Sequence, residues 1–185
     1  MKTTAYLVFP SRFGNFCIVW QEAKVGPYVL RILFPHEEAI VEDLVNINFP
    51  GAIKSSNAII KELGNGIQSF CDGEEVKFDL DIISFEKCSE FQKRVLLAEY
   101  KIPRGWVSTY GRIAQFMEIQ NGARAVGNAL ANNPFPIVIP CHRAIRSDGK
   151  LGGFQGGIKM KKALLEYEGI KFSKTGMVST KRIYY

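Results

Sequence analysis

Long apolar runs are missing from this 185-residue chain. Stretches such as Tyr6-Leu7-Val8-Phe9 and Ile137-Val138-Ile139 are far too short to cross a bilayer, which takes about 20 apolar residues. The opening MKTTAYLVFP has no apolar core behind its single Lys, so no secretory signal is expected. Cysteine is sparse: Cys17, Cys71, Cys88 and Cys141 lie far apart. That spacing excludes a disulfide framework and favours a reducing compartment. Repeats and low-complexity segments are absent. With 46% hydrophobic and 23% charged residues the composition is ordinary, which excludes a disordered or fibrous chain. The expectation is a soluble intracellular protein.

Charge of one sign is unevenly placed. Residues 1–90 carry 8 Lys+Arg against 13 Asp+Glu, and residues 91–185 carry 16 against 5. Such a contrast suggests two domains, the second facing a polyanion. Nucleic acid is the natural candidate, because neutralised phosphates release counterions and supply affinity without sequence information.

The first half alternates as strands do. Thr4–Phe9, Phe16–Trp20 and Tyr28–Phe34 are apolar and separated by turn residues, and 76–83 returns to the same pattern. Short helices are expected over 37–45 and 57–63, the second stopped by Gly64. In the second half Ser89-Glu90-Phe91-Gln92 is a capping box, followed by Phe91, Val95, Ala98 and Ile102 at helical spacing until Pro103. A short helix after Ser108 carries Tyr110, Ile113, Ala114 and Met117. Another after Asn121 carries Ala123, Val126, Gly127 and Leu130. This pair, in the basic half, suggests a helix-turn-helix. Gly122, Ala125 and Ala129 line one stripe of the second helix, with Arg124 and Asn128 beside it. A small-residue face permits close backbone approach, which suits a minor groove and little sequence preference.

Next comes a candidate reactive centre. Ile137-Val138-Ile139 reads as a short strand that Pro140 ends, followed by Cys141-His142-Arg143. A Cys beside His and Arg sits in a positive neighbourhood that favours the thiolate. A helix over 158–168 ends at Gly169 and leaves Glu168 in its last turn, where the helix dipole disfavours an anion. Glu168 therefore calls for a partner, and His142 is the natural one. A Cys–His–Glu relay would let a carboxylate-oriented imidazole deprotonate the thiol.

These segments resemble the O6-alkylguanine-DNA alkyltransferase family. Val107-Ser108-Thr109-Tyr110, Ala123-Arg124-Ala125-Val126-Gly127, Asn133-Pro134-Phe135-Pro136, Ile137 to Arg143, Leu151-Gly152-Gly153-Phe154, Gly156-Gly157 and Glu168-Gly169 carry the resemblance, in order and at matching spacing. It covers about the C-terminal half. It implies a small N-terminal α/β domain (1–86) with a mostly antiparallel sheet, and a mainly helical C-terminal domain (87–170) containing the helix-turn-helix. The basic segment 171–185 reads as a disordered end. The implied activity is repair of O6-alkylguanine in duplex DNA by one irreversible transfer of the alkyl group to Cys141, with no cofactor.

By the same resemblance His142 deprotonates Cys141 through a water, Glu168 holds the imidazole, and Asn133 supports the turn. Tyr110 presses on the target phosphate and gives the leaving base a proton. Arg124 fills the space of the flipped base, and Gly122, Ala123, Ala125, Asn128 and Ala129 lie along the minor groove. Pro136, Arg143, Ala144, Leu151, Phe154, Gln155 and Gly156 would line the base pocket, with Phe154-Gln155 standing where the family commonly has Tyr-Ser. Some members bind zinc in the N-terminal domain, but Cys17, His36, Cys71 and Cys88 lack a paired spacing, so no metal is expected here. A monomer on DNA, in the cytoplasm or a nucleus and away from membranes, follows. A cysteine hydrolase shares the nucleophile but leaves Arg124 and the small-residue helix without a use. A lesion sensor lacks the reactive Cys, and a sequence-reading transcription factor needs base-reading side chains that this helix does not offer.

Overall fold

The three apolar stretches near the start pair as antiparallel strands in the computed structural model, which describes residues 3–34 and 39–185. They are β1 (Thr4–Phe9), β2 (Phe16–Ala23) and β3 (Gly26–Leu33). A short β4 (Ile53–Lys54) joins the far side of β1 in parallel, giving the order β3-β2-β1-β4. Phe16 to Trp20 are all buried, so β2 is covered on both faces and reads as a continuous apolar run. On one face the rings of Phe9, Phe16 and Phe34 stack with centroids 5.3 and 5.1 Å apart. Cys17, Val19 and Leu33 instead pack with Val41 and Val45 of α1 (Val41–Asn48). The expected helix over 37–45 thus begins later, and its residues 37 and 38 lie outside the described ones.

Gly64 does not stop the next helix. α2 runs Ala58–Cys71, capped by Asn57, whose side chain accepts from the Ile59 and Ile60 amides. A Cβ at Gly64 would lie 2.2 Å from the Phe9 ring. The glycine is there for close approach of helix to sheet, and a helix-stop signal looks the same in sequence. Gly64→Ala is expected to destabilise the first unit by about 1–3 kcal/mol through overpacking, read as a lower urea midpoint at unchanged slope. Residues 76–83 form no strand; after α2 they cross in irregular backbone and meet the sheet at a bridge from Ile83 to Val29.

The chain divides into two compact units, Met1–Lys87 and Cys88–Tyr185. In the second, α3 (Glu90–Tyr100) starts at Ser89, whose hydroxyl accepts from the Gln92 amide. The Gln92 side chain does not complete the capping box. It donates to the Ala129 and Asn132 carbonyls, tying α3 to the C-terminal end of the helix Ala123–Ala131. β5 (Ser108–Thr109) pairs in parallel with β6 (Ala144–Ile145). Thr109 caps α4 (Tyr110–Phe116), and α5 (Ala123–Ala131) follows a turn in which Glu118 and Asn121 take positive φ. α4 and α5 are the helix-turn-helix. α6 (Gly157–Tyr167) closes the unit.

Residues 171–185 are ordered, contrary to the sequence reading. Phe172, Val178 and Ile183 pack on the core of Val107, Ile145, Leu151, Leu165 and Ile170. Ser108 Oγ donates to the Tyr184 carbonyl (2.7 Å), Tyr185 Oη donates to the Ala98 carbonyl (2.8 Å), and the Tyr185 ring stacks on Phe116. Basic residues in this segment hid the apolar ones that dock.

Candidate active site

The segment before Cys141 is a tight turn rather than a strand. Asn133 organises it: its Nδ2 donates to the Ile139 carbonyl (3.0 Å) and its Oδ1 accepts from the Phe135 amide (2.9 Å). Inside this loop Ile137 takes φ 75°. That conformation costs a β-branched residue about 1–3 kcal/mol and persists only where neighbours over-determine it. The turn delivers the chain into a single 3-10 turn, Cys141–Arg143, with Cys141 and His142 buried.

Glu168 caps α6 and gathers three partners. Its Oε1 lies 2.9 Å from His142 Nε2 and 2.8 Å from Arg143 Nη2, while Arg143 Nε reaches Oε2 at 3.0 Å. The Gly105 amide adds a 3.2 Å bond to Oε2. Burial alone would raise the Glu168 pKa, but His142 and the Arg143 fork outweigh it and hold it at about 2. The anion that the helix dipole disfavours is thus fully compensated. Burial lowers the His142 pKa against the pull of Glu168, so the imidazole is neutral at neutral pH. A neutral ring facing a carboxylate through Nε2 donates there, which makes Nδ1 the basic nitrogen.

Cys141 departs from the expectation of a thiolate. Burial pushes its pKa up to about 11, against the helping Asn133 amide and Lys161 ammonium. Arg143 does little for the sulfur because its guanidinium is committed to Glu168 and to the Ile102 carbonyl (2.6 Å). The thiol is the resting form, and a base must remove its proton.

Tyr110, at the start of α4, has its pKa raised to about 12, chiefly by burial, so it is a phenol able to donate. Its hydroxyl lies over Gly152, where a Cβ would come within 2.6 Å and φ is +71°. Gly152 also lines a groove with the exposed cations Arg146 and Lys150.

Other expected site residues scatter by burial. On α5, Arg124, Ala123, Ala125 and Asn128 are exposed, whereas Ala129 is buried. Gly122 is buried too, and a Cβ there would meet Ile119 at 2.6 Å, so it packs α5 onto the preceding turn. The outward stripe is therefore Ala125 with Arg124 and Asn128. Leu151 and Ala144 are core residues, Arg143 is the Glu168 clamp, and Pro136 is buried in the turn. Phe154, Gln155 and Gly156 are half-buried; the Phe154 ring meets His142 edge-on at 6.3 Å, and the buried Gln155 Oε1 has no hydrogen-bond partner among the described residues.

Two buried charged residues escaped the sequence reading: Glu99 and Lys161 have no exposed surface. Both sit at core positions of helical stripes, Glu99 between Val95 and Ile102, Lys161 before Leu164 and Leu165. A charge at the apolar period was the available signal. Among the described residues no group of three His, Cys, Asp or Glu side chains could hold a metal, and His36 lies outside them. No helix there is long and apolar enough to cross a membrane.

Fold and site together define a mixed α/β protein whose helix-turn-helix shares a unit with a buried Cys–His–Glu cluster. Residues 90–170 match the model of the 6-O-methylguanine DNA methyltransferase DNA-binding domain. A methylated-DNA–protein-cysteine methyltransferase of Methanosarcina acetivorans is 34% identical over 157 residues, 80% of this chain and 95% of that protein. One from Methanothermobacter thermautotrophicus is 51% identical over 111 residues, 60% of this chain. That alignment spans 62% of the relative's length, and another spans 65% of a 40% identical relative from Mycobacterium bovis. The crystal structure of Mycobacterium tuberculosis OGT in complex with DNA superposes with a TM-score of 0.71 at 30% identity, covering 89% of this chain and 92% of that one. The chain belongs to the methylated-DNA–protein-cysteine methyltransferase family.

Proposed function

We propose that this protein repairs O6-alkylguanine in duplex DNA by transferring the alkyl group once, irreversibly, to Cys141. The observation that carries the reading is a buried thiol followed directly by a neutral His whose other nitrogen is held by Glu168, in the same unit as a helix-turn-helix. His142 Nδ1 takes the thiol proton, directly or across a water. The sulfur electron pair forms the S–C bond, the C–O6 bond breaks, and its electrons leave on guanine. Tyr110 donates its phenolic proton to that base. The product thioether carries no proton to return and cannot be cleaved here, so each molecule acts once.

The reaction needs the base out of the stack, because a thiolate cannot reach O6 inside a duplex. Exposed Ala123, Ala125 and Asn128 allow α5 to approach a minor groove closely, and Arg124 projects from the same face to occupy the vacated space. Arg124→Ala is expected to slow transfer from a duplex at least tenfold while sparing attack on free O6-benzylguanine. Equal losses on the two substrates would remove the finger role. We place the protein on DNA as a monomer, in the cytoplasm or nucleus, consistent with the excess of Lys and Arg in residues 91–185.

The test is intact-mass spectrometry after mixing with excess duplex carrying one O6-methylguanine. The expected result is a gain of one methyl group, saturating at one per protein and mapped to Cys141. No gain with the lesion still bound would favour a damage sensor, and continuing turnover would favour a hydrolase.

A further inference from the structure

α4 has only seven residues and buries just Ile113 and Ala114, yet Tyr110 begins it. A helix this short is marginal on its own in water, so its setting depends on what grips it. Much of that grip comes from residues 172–185. The Tyr185 ring stacks on Phe116 with centroids 3.9 Å apart, and its hydroxyl donates to the Ala98 carbonyl of α3 (2.8 Å). The Tyr185 carbonyl accepts from the Arg112 guanidinium. Arg112 lies in the first turn of α4 and Phe116 is its last residue, so Tyr185 spans the helix and ties it to α3.

The approach to α4 is held by the same segment. The Val107 amide donates to the Arg182 carbonyl (3.1 Å), the Tyr184 amide donates to the Val107 carbonyl (2.8 Å), and Ser108 Oγ donates to the Tyr184 carbonyl (2.7 Å). Residues 107–109 thus pair with 182–184 as well as with β6, which directly follows the Cys141–Arg143 turn. The Val178 amide donates to the Gly149 carbonyl (2.9 Å), in the loop that reaches Gly152 three residues later. The Tyr110 hydroxyl lies over Gly152. One segment therefore fixes both the start of α4 and the loop beneath the phenol.

We propose that Tyr185 is a positioning residue for the alkyl transfer: with residues 178–184 it clasps α4 and the 149–152 loop, so that the Tyr110 phenol is held in place. This rests on the function proposed above, in which Tyr110 gives its proton to the leaving guanine. Phe116 is 48% exposed and Tyr185 half-buried, so the stacked pair lies at the surface, where it removes less apolar area from water than a core pair does. Its larger effect is on orientation, because three attachments from one residue leave α4 a single setting. A misplacement of about 1 Å at a reacting group, caused from a distance, can cost up to about 100-fold in rate.

The experiment is a double-mutant cycle between Tyr185 and Tyr110, read as the single-turnover rate constant at saturating O6-methylguanine duplex. Tyr185→Leu removes the stack and the hydroxyl bond. It is expected to slow transfer about tenfold in the wild-type background but to stay within about twofold in Tyr110→Phe, because a phenol already absent cannot be misplaced. Tyr185→Phe keeps the stack and loses the bond to Ala98. It should slow transfer about threefold, with the same dependence on Tyr110, and it decides the question if the leucine variant does not fold. Equal slowing in the two backgrounds, or none in either, would overturn the proposal and leave the transfer itself intact. Tyr110→Phe reacting as fast as wild type would remove the proton step through which the clasp acts, and the proposal with it. Wild type that transfers nothing would fail the proposed function, and this role would fall too.

Discussion

A Glu168→Gln protein should lose most of the stability of its second unit. The substitution leaves the Arg143 guanidinium, buried and bonded to Glu168 through Nε and Nη2, without its counter-charge. Breaking a buried pair by removing one partner costs about 3–5 kcal/mol, because the remaining charge stays out of water. For a unit of this size that corresponds to a fall in Tm of roughly 15–25 °C. Transfer should slow by about 100-fold or more as well, since the His142 ring loses the carboxylate charge that stabilises the imidazolium formed when it takes the thiol proton. The pH dependence has a definite sign. Glu168 is held at about 2, below its ordinary 4.5, so its contribution is fully present above pH 4.5 and is lost as the pH falls through about 2. Wild type should therefore lose stability across that acid window, and Glu168→Gln should lose much less. Thermal unfolding at several pH values between 2 and 7 measures both. A variant with wild-type Tm would mean that Arg143 needs no partner there.

Cys141→Ala should abolish alkyl transfer and leave damaged-DNA binding within about twofold of wild type. The sulfur is the only proposed acceptor; Cys88, in the same unit, is half-buried and burial pushes its thiol up. Cys17 and Cys71 lie in the other unit with burial pushing their thiols up to about 12. The side chain is small and buried at the start of the 3-10 turn, so alanine removes the chemistry with little disturbance to α5, which would contact DNA. Intact mass after incubation with O6-methylguanine duplex, alongside a binding titration on the same duplex, separates the two effects. Residual methylation at any other site would displace Cys141 as the acceptor. Loss of binding together with transfer would contradict the division between α5 and the reactive turn.

Much of the site could be read in order along the chain. Cys141, His142 and Glu168 follow from adjacency and from an acid placed at the wrong end of a helix, and the structure brings His142 and Glu168 to hydrogen-bonding range with Cys141 beginning the same 3-10 turn as His142. The helix-turn-helix was legible because Tyr110–Phe116 and Ala123–Ala131 both carry the helical period, although only the first has a side-chain cap, Thr109. Errors arose where a local pattern had two physical meanings. Gly64 ends many helices, yet here it lets α2 approach Phe9. Ile137-Val138-Ile139 is a strand by propensity, but the hydrogen bonds of Asn133 bend it into a turn with Ile137 at positive φ.

What the sequence by itself determined is the set of reactive groups and the period of the elements that carry them, because residue type and spacing act locally. Only the tertiary structure decided their electrostatic state. Adjacency alone points to Arg143 as the group that activates Cys141, but the fold turns its guanidinium to Glu168, and burial holds the thiol protonated. It also decided that Glu99 and Lys161 are buried, and that residues 171–185 close the second unit's core. Charge state depends on desolvation and on partners brought from elsewhere in the chain, and neither is a property of a local stretch of sequence.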